Sequence, residues 1–415
     1  MNFYENNQNP ERAVLISVDT GEFDAEISLD ELAELAKTAG AEVVAKMSQK
    51  LQSPNPALFI GSGRMEELTE FCKTNEIDLI IADAELSPAQ IKNIENITDT
   101  RVIDRTMLIL DIFAIRAKSS EGKLQVELAQ LKYSLPFLTG KGKSLSRLGG
   151  GIGTRGPGES KLESDKRHIR RRIHNLSEEL KEVESRRNML RSRRKKDRII
   201  SVAIVGYTNA GKSTLMNYLT DAGVLSEDKL FATLDPTARR LSLPNGQDIM
   251  LIDTVGLVRR LPHKLIDAFK STLEEAKNAD LILNVCDASS DECAEHLEVT
   301  ENLLKELGCE GTPVISVMNK CDLIPDLYDI PVIGKAVMIS AKSGAGIDKL
   351  LKEIENTLPE TKSRVTLLIP FSKGSVIADI RRDGVVYSES YNENGTLIEA
   401  LVNIEYLKKI KCYIV

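Results

Sequence analysis

The feature that most constrains this 415-residue chain is an apolar strand that runs directly into a glycine-rich loop and then into a helix. The strand-like run IISVAIV leads into residues 206–213, whose order matches Gly-x-x-x-x-Gly-Lys-Ser. Glycines let successive backbone N–H groups turn toward phosphate oxygens, and the helix N-terminus adds its dipole to the same anion site. Strand, loop and helix together are the context in which this motif binds phosphate, with a structural Gly-rich turn as the alternative. The sequence therefore predicts a P-loop α/β domain that holds a nucleotide.

Two side chains of this loop are expected to contact the phosphates and their counter-ion. Lys212 reaches the β- and γ-phosphates, and the Ser213 hydroxyl ligates Mg²⁺. The residues assigned to phosphate binding are Gly206, Tyr207, Thr208, Asn209, Ala210, Gly211, Lys212, Ser213 and Thr214.

A second motif separates guanine from adenine. Asn319-Lys320-Cys321-Asp322 follows the strand-like run TPVISVM. The Asp322 carboxylate can accept the N1–H and N2–H groups of guanine, whereas adenine presents an unprotonated N1, and leaving the carboxylate unpaired costs ~1–3 kcal/mol or more. Asn319 is expected to tie this loop to the P-loop, and the Lys320 stem to cover the base. In isolation the pattern would also suit a surface loop, but here it predicts guanine binding.

Three further segments are weaker signals on their own, but they occur in the expected order along the chain relative to these motifs. Asp253 follows the strand-like run IMLI and is expected to hold Mg²⁺ through water, while the Gly256 N–H senses the γ-phosphate. Thr233 is the predicted second hydroxyl ligand of Mg²⁺, with Thr237 as the alternative. The run at 340–342 supplies a backbone N–H for the guanine oxygen.

The candidate site residues of these segments are Phe231, Ala232, Thr233, Leu234, Asp235, Asp253, Thr254, Val255, Gly256, Ser340, Ala341 and Lys342. The candidate catalytic residues are Lys212, Thr233 and Gly256, and the candidate metal ligands are Ser213, Thr233 and Asp253.

The pattern along the chain predicts an α/β, multidomain protein. Strand-like runs RAVLISV, EVVAKMSQ, ALFI and DLIIAD alternate with helix-like runs SLDELAELAKTAG, MEELTEFCKTNE and SPAQIKNIENI, which predicts an N-terminal α/β domain over 1–115. The P-loop domain spans 200–360 with a mostly parallel sheet. After a linker, TLPETKSR, residues 365–415 predict a small α+β domain with a turn at YNENG.

A helical hairpin with a Gly-rich tip is predicted over 116–199. Leu124, Leu128, Leu131 and Leu135 lie 4, 3 and 4 residues apart, and a similar seam runs from Ile169 through Leu176 to Leu190. The non-periodic stretch at 139–160 would form the tip, and the second helix could exceed 30 residues, or ~50 Å. An interdomain strut with a solvated charged face is the alternative function of such a hairpin.

Charge is distributed unevenly. Fifteen Lys/Arg and seven Asp/Glu lie within 161–198, while the net charge of the whole chain is −7. A concentrated basic element in an acidic protein is typical of nucleic-acid contact.

No apolar run is long enough to span a membrane, no signal peptide is evident, and the six scattered cysteines favour reduced thiols. We therefore expect a cytoplasmic protein.

Further stretches resemble the HflX family of GTPases. They are EGKLQVELAQL at 121–131, GGIGTRGPGES at 150–160, LESD at 162–165, IDRT at 103–106, ELSPAQ at 85–90, DTVGL at 253–257 and STLEE at 271–275. The resemblance covers nearly the whole chain. It implies GTP binding and hydrolysis, binding to the large ribosomal subunit and its rRNA, and splitting of stalled or idle ribosomes under stress.

The same resemblance implies that the hairpin contacts rRNA rather than serving as a strut between domains. Lys141, Lys143, Arg147 and Arg155 at the tip, with Arg170–Arg172 and Arg193–Lys196 on the shaft, would contact phosphates. An ATP-binding role is also attributed to the family's N-terminal domain, but residues 61–64 (GSGR) favour a tight turn here. We expect a monomer.

Two features of the site leave alternatives open. Leu257 stands where many GTPases carry Gln to orient water, so we expect slow turnover in isolation and stimulation by the ribosome. Asn209 either coordinates K⁺ beside the phosphates or ties loops together.

A regulatory GTPase acting on another RNA or protein is the second functional hypothesis. An ATP-driven RNA remodeller is the third, and Asp322 argues against it.

Overall fold

The computed structural model describes residues 10–139, 157–196, 199–220, 230–231, 233–259, 265, 274–324, 336–360 and 362–415. These residues form two compact units. The first comprises Met1–Met189, Leu225–Pro236 and Thr254–Glu274, and the second comprises Leu190–Val224, Thr237–Asp253 and Glu275–Val415.

The first unit is built on a parallel sheet with strand order β2-β1-β3-β4. Its elements are β1 (Arg12–Asp19), α1 (Ala25–Ala39), β2 (Glu42–Lys50), α2 (Ser62–Thr74), β3 (Leu79–Ala82), α3 (Pro88–Thr98), β4 (Arg101–Asp104) and α4 (Arg105–Arg116). Helix starts follow capping chemistry: Asp24 accepts from two N–H groups at the start of α1, and Ser87 forms a capping box with Gln90. The predicted alternation of strands and helices is confirmed.

One predicted strand is wrong. Residues 57–60 (ALFI) lie in a turn, where Phe59 has φ 67° and pairs with Asn55 in an isolated bridge. Phe59 and Ile60 are buried all the same, so their apolar character reflects packing under the sheet rather than a strand. The sequence pattern also did not predict β4 or α4.

The hairpin helices are α5 (Ser120–Ser134), followed by a 3₁₀ turn (Leu135–Thr139), and α6 (Pro157–Lys196). Helix α6 has 40 residues, or about 60 Å at 1.5 Å per residue. Its predicted seam is confirmed from Ile169 to Val183, where Leu176 is fully buried and its neighbours on the same stripe are half-buried, while the side chain of Leu190 lies outside the described residues. On α5 the leucines are only half-buried, and the buried face is formed by Gly122, Gln125, Val126, Ala129 and Tyr133.

The predicted tip loop at 139–160 is wrong at its end, because α6 begins at Pro157. Proline is tolerated in the first turn, where no intrahelical N–H bond is needed. Residues 140–156, with the predicted contacts Lys141, Lys143, Arg147 and Arg155, lie outside the described residues. Arg172 forms a bidentate pair with Glu127 at 2.7 and 2.8 Å, and its proposed phosphate contact stays a prediction.

The second unit carries a six-stranded sheet of order β10-β9-β8-β5-β7-β6, parallel except for β6. Its elements are β5 (Ile200–Gly206), α7 (Lys212–Thr220), β6 (Thr237–Ser242), β7 (Asp248–Asp253), β8 (Leu281–Asp287), α8 (Cys293–Glu306), β9 (Val314–Asn319), β10 (Ala336–Met338) and α9 (Ile347–Thr357). The central strands are almost continuously apolar because both faces of a parallel sheet are covered.

The C-terminal residues add an antiparallel sheet of order β11-β13-β12 to this unit. The elements are β11 (Lys362–Ile369), α10 (Gly374–Asp383), β12 (Val385–Asn392), β13 (Gly395–Asn403) and α11 (Ile404–Ile410). Strand β11 begins inside the predicted linker, and Lys362 pairs with Asp248 at 3.2 Å. The α/β fold class with a small α+β C-terminal part is confirmed. None of the helices in the described ranges combines the length and apolarity that a membrane span requires.

Candidate nucleotide site

The predicted site residues of the second unit stand where its parallel strands end. Gly206, Asp253 and Asn319 are the last residues of β5, β7 and β9. In open α/β sheets, ligands bind outside the carboxyl ends of the strands. The sheet therefore brings to one edge the P-loop, Asp253 and the loop at 319–322, which is predicted to read the base and is called the base-reading loop below.

The P-loop depends on its glycines. Gly206 has φ 151°, and a Cβ there would lie 2.0 Å from the carbonyl oxygen of Val285. Gly211 has φ 88°, and a Cβ there would lie 2.2 Å from Nδ2 of Asn319. Asn209 is also left-handed, at φ 59°, and is exposed. Any side chain at either glycine would collide with backbone or with the adjoining loop, so the P-loop can adopt this conformation only with glycine at both positions.

Lys212 is buried within this loop. Its Nζ donates to the carbonyl oxygens of Gly206 at 3.0 Å and Tyr207 at 2.7 Å. Burial lowers the pKa of Lys212 to about 8, while the charge of Asp253 acts in the opposite direction. An ammonium held by neutral carbonyls can exchange them for phosphate oxygens, which stabilise its charge far better.

Oxygen donors suited to Mg²⁺ lie beside the loop. Ser213 Oγ is 2.9 Å from Oδ2 of Asp253, and Asp253 is fully buried. Hydroxyl and carboxylate oxygens are the ligands that Mg²⁺ prefers, so this donor set fits the ion. Thr237, the alternative ligand, pairs directly with Asp253 across β6 and β7. Thr208 Oγ1 is buried without a hydrogen-bond partner among the described residues, which also suits a loop that receives a ligand.

Asn319 joins three loops. Its Nδ2 donates to the carbonyl oxygen of Ala210 at 2.9 Å, and its Oδ1 accepts from the Ala341 N–H at 2.9 Å. The side chain is 2% exposed, so both bonds are made away from water. The Ala341 N–H is thus occupied by Asn319, and the contact of a backbone N–H from 340–342 with the guanine oxygen stays a prediction.

The rest of the base-reading loop is also held by neighbours. Lys320 is left-handed at φ 63°, and its Nζ lies 2.7 Å from Oδ2 of Asp287 at the end of β8. Asp322 is exposed, and the hydrogen bond from Ser340 lowers its pKa, with smaller effects from the charges of Lys342 and Lys320. Asp322 therefore stays ionised and able to accept two N–H groups from a base.

The other predicted site residues belong to the first unit. Phe231 and Leu234 are buried, Asp235 binds the start of α5, and Ala232 lies outside the described residues. Thr254, Val255 and Leu257 are also buried. For these segments the proposed contacts with nucleotide stay predictions.

Sequence reasoning missed His296. Its imidazole, on α8, stacks on the Tyr207 ring with centroids 3.8 Å apart and planes 16° apart. No pattern in the sequence links the two residues, since they are 89 positions apart. Asp287 was missed as well, although an acidic residue directly after an apolar strand is a signal that could have found it.

Comparisons with known proteins agree with this site. Three family models match successive parts of the chain: "GTP-binding GTPase N-terminal" over 26–114, "GTP-binding GTPase Middle Region" over 116–194 and "50S ribosome-binding GTPase" over 201–320. The chain is 50% identical over 410 residues to "GTPase HflX" of Caldanaerobacter subterraneus subsp. tengcongensis, covering 98% of this chain and 95% of the relative. It is 40% identical over 395 residues to "GTPase HflX" of Escherichia coli, covering 93% and 92%.

Solved structures give a further likeness. A crystal structure of a GTP-binding protein from the hyperthermophilic archaeon Sulfolobus solfataricus in complex with GDP is 28% identical to this chain. The match covers 84% of this chain and 98% of that chain, with a TM-score of 0.45.

Proposed function

The chain belongs to the HflX family of GTPases, it binds guanine nucleotide and hydrolyses GTP, and from this premise we propose that it binds the large ribosomal subunit and splits stalled or idle ribosomes under stress. It acts in the cytoplasm as a monomer.

One observation carries the proposal: a 40-residue helix with an exposed basic face. Helix α6 packs along α5 through the Arg172–Glu127 pair and leaves Arg170 and Arg171 exposed. With fifteen basic and seven acidic residues in 161–198, such a rod suits rRNA, whose phosphates attract Lys and Arg and whose clefts admit a narrow helical pair. The description of the matching family model, "50S ribosome-binding GTPase", supports the same partner.

At the nucleotide, we assign each residue one role. Lys212 binds the β- and γ-phosphates, Ser213, Asp253 and Thr233 hold Mg²⁺, and the Gly256 N–H contacts the γ-phosphate. Mg²⁺ neutralises charge on the phosphate oxygens when it is bound. Asp322 selects guanine, and Asn209 adds a K⁺ site beside the phosphates. Equal GTPase rates in K⁺ and Na⁺ would remove the K⁺ site from this proposal.

Hydrolysis is slow without the ribosome. Leu257 has no group that could orient a water molecule, so the catalytic arrangement is incomplete until the protein docks. Completion of such an arrangement is worth ~10³–10⁵-fold in rate in related systems. Equal rates of phosphate release with and without large subunits would reject this part of the proposal.

The deciding experiment measures dissociation of ribosomes into subunits with GTP, GDP and a non-hydrolysable GTP analogue. We expect dissociation with GTP and the analogue, and none with GDP. A protein that hydrolyses GTP but neither splits nor co-sediments with ribosomes would support the regulatory GTPase instead. The contact is tested with Arg170→Glu/Arg171→Glu, which should weaken subunit binding and reduce its salt dependence. The matched control is Lys37→Glu/Lys73→Glu on α1 and α2, which should bind normally.

A further inference from the structure

The first unit contains the segment that carries Thr233. Asp235 of this segment places its carboxylate at the N-terminus of α5: Oδ2 accepts from the Lys118 N–H at 2.9 Å and from the Ser119 N–H at 2.7 Å. Oδ1 accepts from the Ser119 hydroxyl, which in turn caps Gly122 N. A carboxylate at a helix N-terminus is stabilised by unpaired N–H groups and by the helix dipole.

The Asp235 carboxylate can approach α5 closely because residue 122 is glycine. A Cβ added at Gly122 would lie 2.3 Å from Oδ1 of Asp235, nearer than real Cβ atoms come to a carboxylate oxygen. The carboxylate can therefore seat on α5 only because residue 122 has no side chain. This gives a physical reason for glycine within EGKLQVELAQL, a stretch that the nucleotide site does not explain.

A second contact fixes the same segment. Phe231 is 2% exposed, and its ring meets Phe113 of α4 edge-on, with centroids 4.6 Å apart. Edge-to-face pairs of buried aromatic rings are favourable beyond their burial alone. Phe231 and Asp235 thus hold the segment on both sides of Thr233.

The segment that follows β7 is bound by the same unit. Arg187 of α6 donates to Glu121 of α5 at 2.9 Å and to Glu274 at 3.4 Å. Arg105 of α4 donates to the carbonyl oxygen of Arg259 at 3.2 Å. The base of the hairpin, where α5 begins and Arg187 crosses it, therefore contacts both segments.

We propose that Asp235, seated on α5 beside Gly122, is a positioning residue that orders Thr233 for the triphosphate. The inference rests on the proposed role of Thr233 as a ligand in the GTP-bound state. Ordering a segment in advance removes an entropy cost that GTP binding would otherwise carry. Because coupling between sites is reciprocal, GTP in turn stabilises the first turn of α5, and movement of the hairpin alters the affinity for GTP.

The test is Gly122→Ala, whose methyl group displaces the Asp235 carboxylate. The matched control is Gly63→Ala in α2, where an added Cβ meets nothing within 4 Å. Affinities for GTP and GDP are measured without ribosomes, so failure here is separate from failure of ribosome binding. We expect the GTP affinity of Gly122→Ala to fall about tenfold, with that for GDP within twofold of the parent and Gly63→Ala unchanged.

Amide exchange in the nucleotide-free protein gives a readout that is independent of activity. Exchange of the Lys118 and Ser119 amides should quicken about tenfold or more in Gly122→Ala and not in Gly63→Ala. A double-mutant cycle adds Asp235→Ala: the single variant should reproduce the loss, and Gly122→Ala should then add nothing further. If Gly122→Ala does not fold, Ser119→Ala takes its place, with an expected two- to threefold loss of preference for GTP over GDP.

An unchanged GTP affinity in Gly122→Ala overturns the proposal, whatever the amides do. An equal loss for GTP and GDP overturns it too, because the segment would then support the whole site rather than Thr233. Additive effects of Gly122→Ala and Asp235→Ala would show that the methyl group acts elsewhere.

Discussion

The side-chain amide of Asn319 lies 2.9 Å from the carbonyl oxygen of Ala210, although 109 positions separate the two residues. The same side chain accepts the N–H of Ala341. A single buried amide therefore sets the spacing between the loop that holds phosphates and the loop that reads the base. We therefore expect nucleotide affinity to depend on that spacing even if Asn319 does not touch the nucleotide.

Asn319→Ala should weaken GTP and GDP alike, by about tenfold or more, because it deletes two buried hydrogen bonds and leaves their partners unpaired at ~1–3 kcal/mol each. Fluorescent-nucleotide titration measures both affinities. Asn93→Ala is the matched control, since Asn93 also donates to a backbone carbonyl, that of Ala57 at 3.0 Å, but on an exposed surface. A loss confined to GTP would contradict a purely spacing role.

Asp322 should decide which base is bound. Asp322→Asn removes the charged acceptor for N1–H and N2–H, so GDP affinity should fall by about 100-fold or more. The new amide N–H can donate to the O2 of xanthine, so affinity for xanthosine diphosphate should rise. Competition titrations with both nucleotides measure the exchange, and Asp291→Asn, at an exposed position, is the control. Retention of guanine preference would refute the role of Asp322.

The P-loop could be predicted from sequence because its cause is local. A buried strand, two glycines at fixed spacing and a helix start lie within sixteen residues, and the left-handed φ of Gly211 follows from that order. The link from Asn319 to the P-loop was also predictable, since the motif carries its own chemistry. By contrast, the four apolar residues at 57–60 suit a strand or a buried turn equally, and the backbone of Phe59 decides between them.

Contacts between distant residues that no motif links could not be predicted in this way. The order of the motifs assigns Asp235 to the nucleotide site, but nothing in that order predicts that its carboxylate binds Ser119, 116 positions earlier. The leucines of α5 suggested a coiled-coil seam, whereas the helix buries the face with Val126 and Ala129. A period of 3.6 fits several neighbouring stripes of a short helix, and only the partner surface selects one of them.

His296 should position the P-loop through its stack on Tyr207. The Tyr207 carbonyl accepts from Lys212, so the stacked ring helps to fix the backbone that holds the ammonium. His296→Ala should lower affinity for GTP and GDP about two- to tenfold, the range expected for loss of an aromatic pair. His296→Phe, which keeps a stacking ring, should restore most of it, and His174→Ala on α6 is a surface control. Equal losses for the Ala and Phe variants would contradict the stacking explanation.

Lys212 should make nucleotide binding depend on pH. Its pKa is lowered from 10.5 to about 8 by burial in the nucleotide-free protein. A lowered lysine pKa means that the unfolded chain binds more protons between pH 8 and 10.5, so this group destabilises the free protein fully below pH 8 and less as pH rises.

Bound phosphates favour the charged form of Lys212, because they stabilise its ammonium group and raise its pKa. Binding near and above pH 8 should therefore take up a proton, and GDP affinity should fall by up to about tenfold per pH unit above about 8. Titration calorimetry in two buffers of different ionisation enthalpy measures the proton uptake. In Lys212→Arg the guanidinium stays charged throughout, so both the uptake and this part of the pH dependence should vanish, while deprotonation of guanine itself remains common to both proteins. A buffer-independent binding enthalpy in the parent protein would show that the buried amine is already fully charged.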